Sequence, residues 1–348
     1  MKQEVFGYLP DGREVRVVTL ESGSGATARV MNYGGTLLSL TVPDRGGVLG
    51  DVVLGFDSLE GYLGEHPYIC TLVGRYGNRI REGTFSIDGQ AYTLACNLPP
   101  HHLHGGIKGF GRMLWDMETH TDKNGESAVL RYRSPDGEEG YPGALDVQVT
   151  YTFTPDHTFR IEYQAHTDAT TVVNLTHHAY FNLACGGGVL RHEVTLFADH
   201  ITDTDAHLIP NGKLLKILGT PLDFSRPEPI GRRIQADFQP LRYGSGYDHN
   251  YVINQWNGAL RIAARVHEPL TGRTMEVYTT QPGIQFYTAN HLHDLKGKAG
   301  VVYQPHSGFC LESQHFPDSP NRPEFPSTLL KPGETYRQKT EYRFPAGG

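Results

Sequence analysis

The sequence predicts an all-β protein, a large sandwich of antiparallel sheets, and three observations carry that expectation. From Leu145 to Thr154 every odd position is apolar and every even one polar, the period of a strand with one buried face. Pro155-Asp156-His157 supplies a turn, and Phe159, Ile161, Tyr163 and Ala165 resume the alternation, which makes a long hairpin. Finally, no sustained 3.6-residue periodicity intervenes between strands, so alternating βαβ units are excluded and sheet-on-sheet packing is left.

In chain order, Asp51–Phe56 reads as a strand and Asp57–Leu63 as a short helix capped by Asp57 or Ser58. Asp88-Gly89 suits a two-residue turn whose central residues both take positive φ, which sets Phe85 opposite Tyr92. Further strands are expected at 128–133, 260–266, 274–280 and 284–288. The Pro-rich stretches 221–229 and 317–326 are interleaved with Phe224, Ile230, Phe316 and Phe325, so neither reads as a linker. One continuous β-sandwich domain over residues 1–348 is expected.

Composition narrows the function. The 348 residues are 38% hydrophobic and 20% charged, enough to fill a core. A net charge of −7 with no basic block argues against a nucleic-acid partner. No apolar run is long enough to span a bilayer, and the start MKQEVFGYLP lacks the apolar region of a secretory signal; a cytoplasmic protein is expected. The four cysteines, at 70, 96, 185 and 310, form no C-x-x-C pair and read as buried thiols. There is no P-loop, no dinucleotide-binding unit, no G-x-S-x-G elbow and no H-E-x-x-H, so no cofactor is expected.

Polar residues concentrate in segments that folding alone does not require: 74–80, 101–106, 174–183, 246–250, 281–290 and 307–314. Arg75 and Arg79 could each be a surface charge. His102 and His104, two apart on an extended chain, share a face as zinc ligands do, but no third ligand is visible and no metal is expected. His177 and His178, being adjacent, point to opposite faces. Glu312 follows the apolar Phe309-Cys310-Leu311 and sits either on a wet face or in a cleft with a raised pKa.

Together with Asn32-Tyr33-Gly34-Gly35, Val42-Pro43-Asp44-Arg45 and Asp51-Val52-Val53-Leu54-Gly55-Phe56, these segments resemble the aldose 1-epimerase (mutarotase) family over essentially the whole chain. The resemblance implies a distorted β-sandwich, the supersandwich fold, and an isomerase that exchanges the anomers of a free aldose. Its motifs put the sugar-binding groups on Asn78, Arg79, Asp248 and Gln285, and the catalytic groups on Glu312, His178 and His104. Arg75 is left with a surface role. His177, Ala179, His101, His291 and His293 depart from the residues the family usually carries there, which touches sugar preference more than the reaction.

Anomer exchange needs a base at O1 and an acid at the ring oxygen, and no cofactor. The resemblance makes Glu312 the ionised base and His178 the protonated acid, with the carboxylate raising the histidine pKa. His104 would hydrogen-bond near the ring oxygen or hold charge. A non-catalytic carbohydrate-binding module, an epimerase of a pentose or phosphosugar, and a two-carboxylate glycoside hydrolase are the competing readings. The expected partner is a free aldose, with no nucleic acid or membrane, for a monomer or homodimer.

Overall fold

Residues 1–345 are described by the computed structural model of the chain. Its strands form three large sheets whose ladders are antiparallel. Five N-terminal strands (Lys2–Tyr8, Glu14–Glu21, Thr27–Met31, Thr36–Pro43 and Leu49–Asp51) pair in chain order. A nine-stranded sheet is built around the predicted hairpin, now Leu145–Phe153 and Thr158–Thr167, with Leu145 opposite Thr167 and Phe153 opposite Phe159. The third sheet orders its six strands as Tyr180–Phe181, Phe309–Gln314, Gly283–Tyr287, Asp248–Ile253, Ala198–Thr204 and Pro210–Lys216.

The turn chemistry holds. Asp88 and Gly89 have φ of 50° and 83°, and Phe85 pairs with Tyr92, their rings stacked 5.5 Å apart. The short helix is Leu59–Leu63 with Ser58 at its N-cap position, although no side chain there bonds the helix. Asp51–Phe56 is corrected: only Asp51 lies in a strand. Val52, Val53 and Leu54 are all buried, and their amides reach out separately to Leu40 O, the Asp51 carboxylate and Tyr180 O. A continuous apolar run thus crosses between sheets, where a strand was expected.

The six-stranded sheet positions the chemistry. Its Ile284, Phe286, Phe309 and Leu311 side is buried in the core, where Tyr342 of the nine-stranded sheet lies 5.0 Å from the Phe181 ring and donates to Leu311 O at 3.2 Å. Strand alternation sends Asp248, Asn250, Gln285, Tyr287, Cys310, Glu312 and Gln314 to the opposite side. The core layer and the polar floor of the cleft are therefore two faces of the same three strands.

Candidate active site

Register brings the polar residues together. Gln285 pairs with both Asn250 and Glu312, and Tyr287 with both Asp248 and Cys310. Tyr180 also pairs with Cys310. Two residues before Tyr180 is His178, and two after Cys310 is Glu312, so continuing that antiparallel register sets the two side by side. His178 Nε2 lies 3.7 Å from Glu312 Oε1. The 134-residue separation in sequence is closed by one short ladder.

The remaining groups come from loops. His102–Leu103 pairs with Arg79–Ile80, and beyond it Asn78 and His104 clasp each other. The Asn78 amide donates to His104 Nδ1 at 3.1 Å, and the His104 amide donates to Asn78 O at 3.1 Å. Both residues are left-handed, with φ of 66° and 51°, a strained backbone state that surrounding bonds must hold. Arg79 reaches Asp248 at 3.3 Å, and Gln285 donates to the other carboxylate oxygen of Asp248 at 2.6 Å. Gln314 in turn donates to Gln285 Oε1 at 3.3 Å.

All seven expected residues (Asn78, Arg79, His104, His178, Asp248, Gln285 and Glu312) line one cleft. Pro67, Tyr68, Leu103, Tyr180, Tyr287 and His291 complete it. Tyr180 and Tyr287 were within reach of sequence reasoning: each is two residues from a site residue on an extended chain and shares its face. Tyr68, which packs its ring edge-on against His104 at 4.6 Å, had no such signal. A larger cavity of 490 Å³ is lined by Asp51 and Lys298, but these two are committed to each other as an ion pair at 2.8 Å.

Two other assignments change, and the opposed faces of His177 and His178 are kept. Arg75 is no surface charge: it is 2% exposed, and its guanidinium donates to the carbonyls of Ser134, Pro135, Pro142 and Gly143 and to the hydroxyls of Ser134 and Thr171. His102 does not share a site with His104, because its ring is used by Ala95 O at 2.7 Å and the Tyr141 hydroxyl at 2.6 Å. His177 turns into the core, its ring 5.9 Å from Tyr151.

Electrostatics sharpen the roles. Burial pushes Glu312 well above the usual carboxylate range, and nearby Asp248 adds to the effect. Burial also lowers His178 to about 4, which reverses the expected upward shift. His104 is held well below the usual histidine value, first by burial and then by His178 and Arg79. Its tautomer follows from its partner. A backbone N–H can only donate, so His104 Nδ1 is unprotonated and the neutral ring carries its proton on Nε2. His104 is a fixed neutral donor and does not hold charge.

The same point bears on metal binding. One ligand atom each from His104, His178 and Glu312 fall within 4.8 Å of one another, the only such group of three among the described residues. Yet His104 Nδ1 is occupied by an amide and Nε2 bears a proton, so this ring offers no lone pair to a cation. The donor set does not fit a metal centre.

Comparison with known proteins gives a consistent answer. The family model described as aldose 1-epimerase matches residues 16–343. A bovine galactose mutarotase is 46% identical over 98% of this chain and 97% of its own. The human galactose mutarotase is 45% identical over 98% of this chain and 97% of its own. An Escherichia coli aldose 1-epimerase is 34% identical over 99% of this chain and its whole length. Among solved structures, an aldose epimerase homologue from C. elegans superposes with a TM-score of 0.87 at 30% identity, covering 95% of this chain and 99% of that one. A galactose 1-epimerase from Lactobacillus acidophilus gives 0.88 at 25% identity, covering 100% and 99%.

Proposed function

This chain belongs to the aldose 1-epimerase family, and from that premise we propose a reaction in which Glu312 and His178 exchange the protons. The protein interconverts the α and β anomers of free aldohexoses. Galactose, the sugar in the relatives' names, is the substrate we assign first. Glu312 takes the O1 proton while His178 Nε2 delivers one to the ring oxygen O5. The C1–O5 electron pair leaves with O5, and a C1 carbonyl forms. Rotation about C1–C2 turns the other carbonyl face to O5, and the reverse transfers close the ring. His104 Nε2–H, Arg79, Asn78, Asp248 and Gln285 hold the hydroxyls.

The observation that carries this reading is the 3.7 Å separation of His178 Nε2 and Glu312 Oε1. O1 and O5 are bonded to the same carbon, so the groups that serve them must be neighbours. Two-carboxylate glycosidic chemistry would instead need a second free acid at a wider spacing, and Asp248 is tied to Arg79 and Gln285. A binding module would need neither the base nor the acid.

Polarimetry of fresh α-anomers across pH tests the assignment. The reactive pair carries one proton in total, as does its resting form with protonated Glu312 and neutral His178. One-proton forms exist between the loss of the first proton, near the His178 value of about 4, and the loss of the last, set by the raised Glu312. A bell is therefore expected, its acid limb near pH 4 and its alkaline limb displaced well above the usual carboxylate range, both belonging to the pair. An acid limb near pH 6.5 would refute the buried pair.

Arg79 binds hydroxyls in ground and transition states alike, so Arg79→Ala should raise KM and lower kcat/KM. Arg75→Ala should leave KM unchanged and destabilise the fold by about 2–4 kcal/mol, since it strips a buried cluster of acceptors of their donor. Kinetics and thermal melts of the two variants separate the arginines.

One buried cluster running from Leu9 to Phe344 through all three sheets supports reading the chain, 1–348, as one domain. Among the described residues no helix is long and apolar enough to cross a membrane. We place the enzyme in the cytoplasm as a monomer or homodimer.

A further inference from the structure

The second nitrogen of His178 has a thiol within hydrogen-bonding distance. Cys310 Sγ lies 3.4 Å from His178 Nδ1. Cys310 is fully buried and does not line the cleft; Tyr180 stacks on the His178 ring at 4.8 Å and fixes its plane. We propose that Cys310 is a positioning residue whose sulfur accepts a hydrogen bond from His178 Nδ1–H, keeping Nε2 as the nitrogen that exchanges the proton. This rests on the reading of His178 as the acid.

The reaction itself selects that direction. His178 alternates between imidazolium and neutral imidazole, and the proton that comes and goes must be the one on Nε2, beside Glu312 and the sugar. The proton on Nδ1 therefore persists through the cycle and needs an acceptor throughout. Were Nδ1 bare, the neutral ring would carry its proton on Nε2, and it could not take a proton from Glu312 or from the sugar's ring-opened hydroxyl. The two cleft histidines are thus opposite tautomers. His104 is locked by the Asn78 amide as an Nε2–H donor, and His178 is held by sulfur with Nε2 free to gain and lose its proton.

Sulfur is also a weak acceptor. A carboxylate at this position would stabilise the imidazolium and make it a poorer acid. The groups around the ring are Glu312 and Cys310 on the neighbouring strand, His104, Tyr68, Tyr180 and Tyr287 around its faces, and Asp248 and His66 farther out. Among these side chains only Cys310 hydrogen-bonds Nδ1, and the ring's one other partner is its own backbone carbonyl.

The test combines spectroscopy with kinetics. In protein labelled with ¹⁵N-histidine, the His178 resonances are those lost in His178→Asn. The wild-type neutral ring should show a protonated Nδ1 and a pyridine-type Nε2, the reverse of His104. Cys310→Val, close in size but without an acceptor, should lose that preference and lower kcat about tenfold, because a ring no longer held in the productive tautomer is less often poised to transfer its proton, with KM unchanged. Cys310→Ser, which restores an acceptor, should recover most of the rate. A bare Nδ1 in the wild type, or wild-type kcat in Cys310→Val, overturns the inference; if Cys310→Val does not fold, the wild-type spectrum and Cys310→Ser still decide it. Wild-type activity in His178→Asn would instead sink the acid assignment beneath it.

Discussion

Glu312→Gln is expected to lower kcat by about 10²–10⁴-fold, the usual contribution of a positioned proton-transfer group, while sugar binding survives. The amide keeps the shape of the side chain and cannot take the O1 proton. The same variant should be no less stable than the parent, and the sign follows from burial. Glu312 is raised in the folded state, and one of its oxygens, Oε2, is buried without a hydrogen-bond partner. Below the unfolded carboxylate pKa both states hold the proton and nothing is lost. As pH climbs past it, the unfolded chain ionises freely while the native site resists, so native stability declines until the folded pKa is passed. Glutamine carries no such dependence. Thermal melts should show the variant at or above the parent near neutrality, with the gap closing below pH 4. A variant that loses both activity and stability would mean that Glu312 holds the fold together.

His178→Asn should cost a similar 10²–10⁴-fold in kcat, and His177→Asn should keep kcat near that of the parent. The two histidines are adjacent, so the comparison isolates direction from position. His178 faces Glu312, and His177 faces Tyr151 across the core. Any penalty in His177→Asn belongs to stability, since the ring it replaces is buried. Steady-state polarimetry and melting curves of both variants settle the pair. If the losses are exchanged, the face assignment of the Thr176–His177 strand is wrong.

Much of the fold was legible because its strands are amphipathic. The alternation from Leu145 to Ala165 has a wet face and a dry one, and pattern alone locates it. Where both sides are buried the signal vanishes, as at Val52–Leu54, where a plain apolar run was mistaken for a strand. The candidate site was legible residue by residue through family resemblance, but its assembly was not. Nothing in a sequence states that Tyr180 pairs with Cys310, and that pairing is what sets His178 beside Glu312. Arg75 was misread because a guanidinium can be satisfied by carbonyls far along the chain, whose convergence leaves no local trace. Of the two roles open to His104, only the hydrogen-bonding one fits, because a tautomer depends on the direction of one backbone amide.

The three strands that carry Asp248, Gln285 and Glu312 give one side to the cleft and the other to the core. Turnover therefore reports on alignment as well as on chemistry. A slip of one residue along Phe309–Gln314 would carry Leu311 into the sugar's place and bury Glu312 among Phe286 and Phe309, costing cohesion and activity in one event. Insertions in the connecting loops have no such effect, because they leave the ladder in phase. In a library of random insertions and deletions, surviving mutarotation would map where the chain tolerates a change in length, and the silent zones should trace these strands.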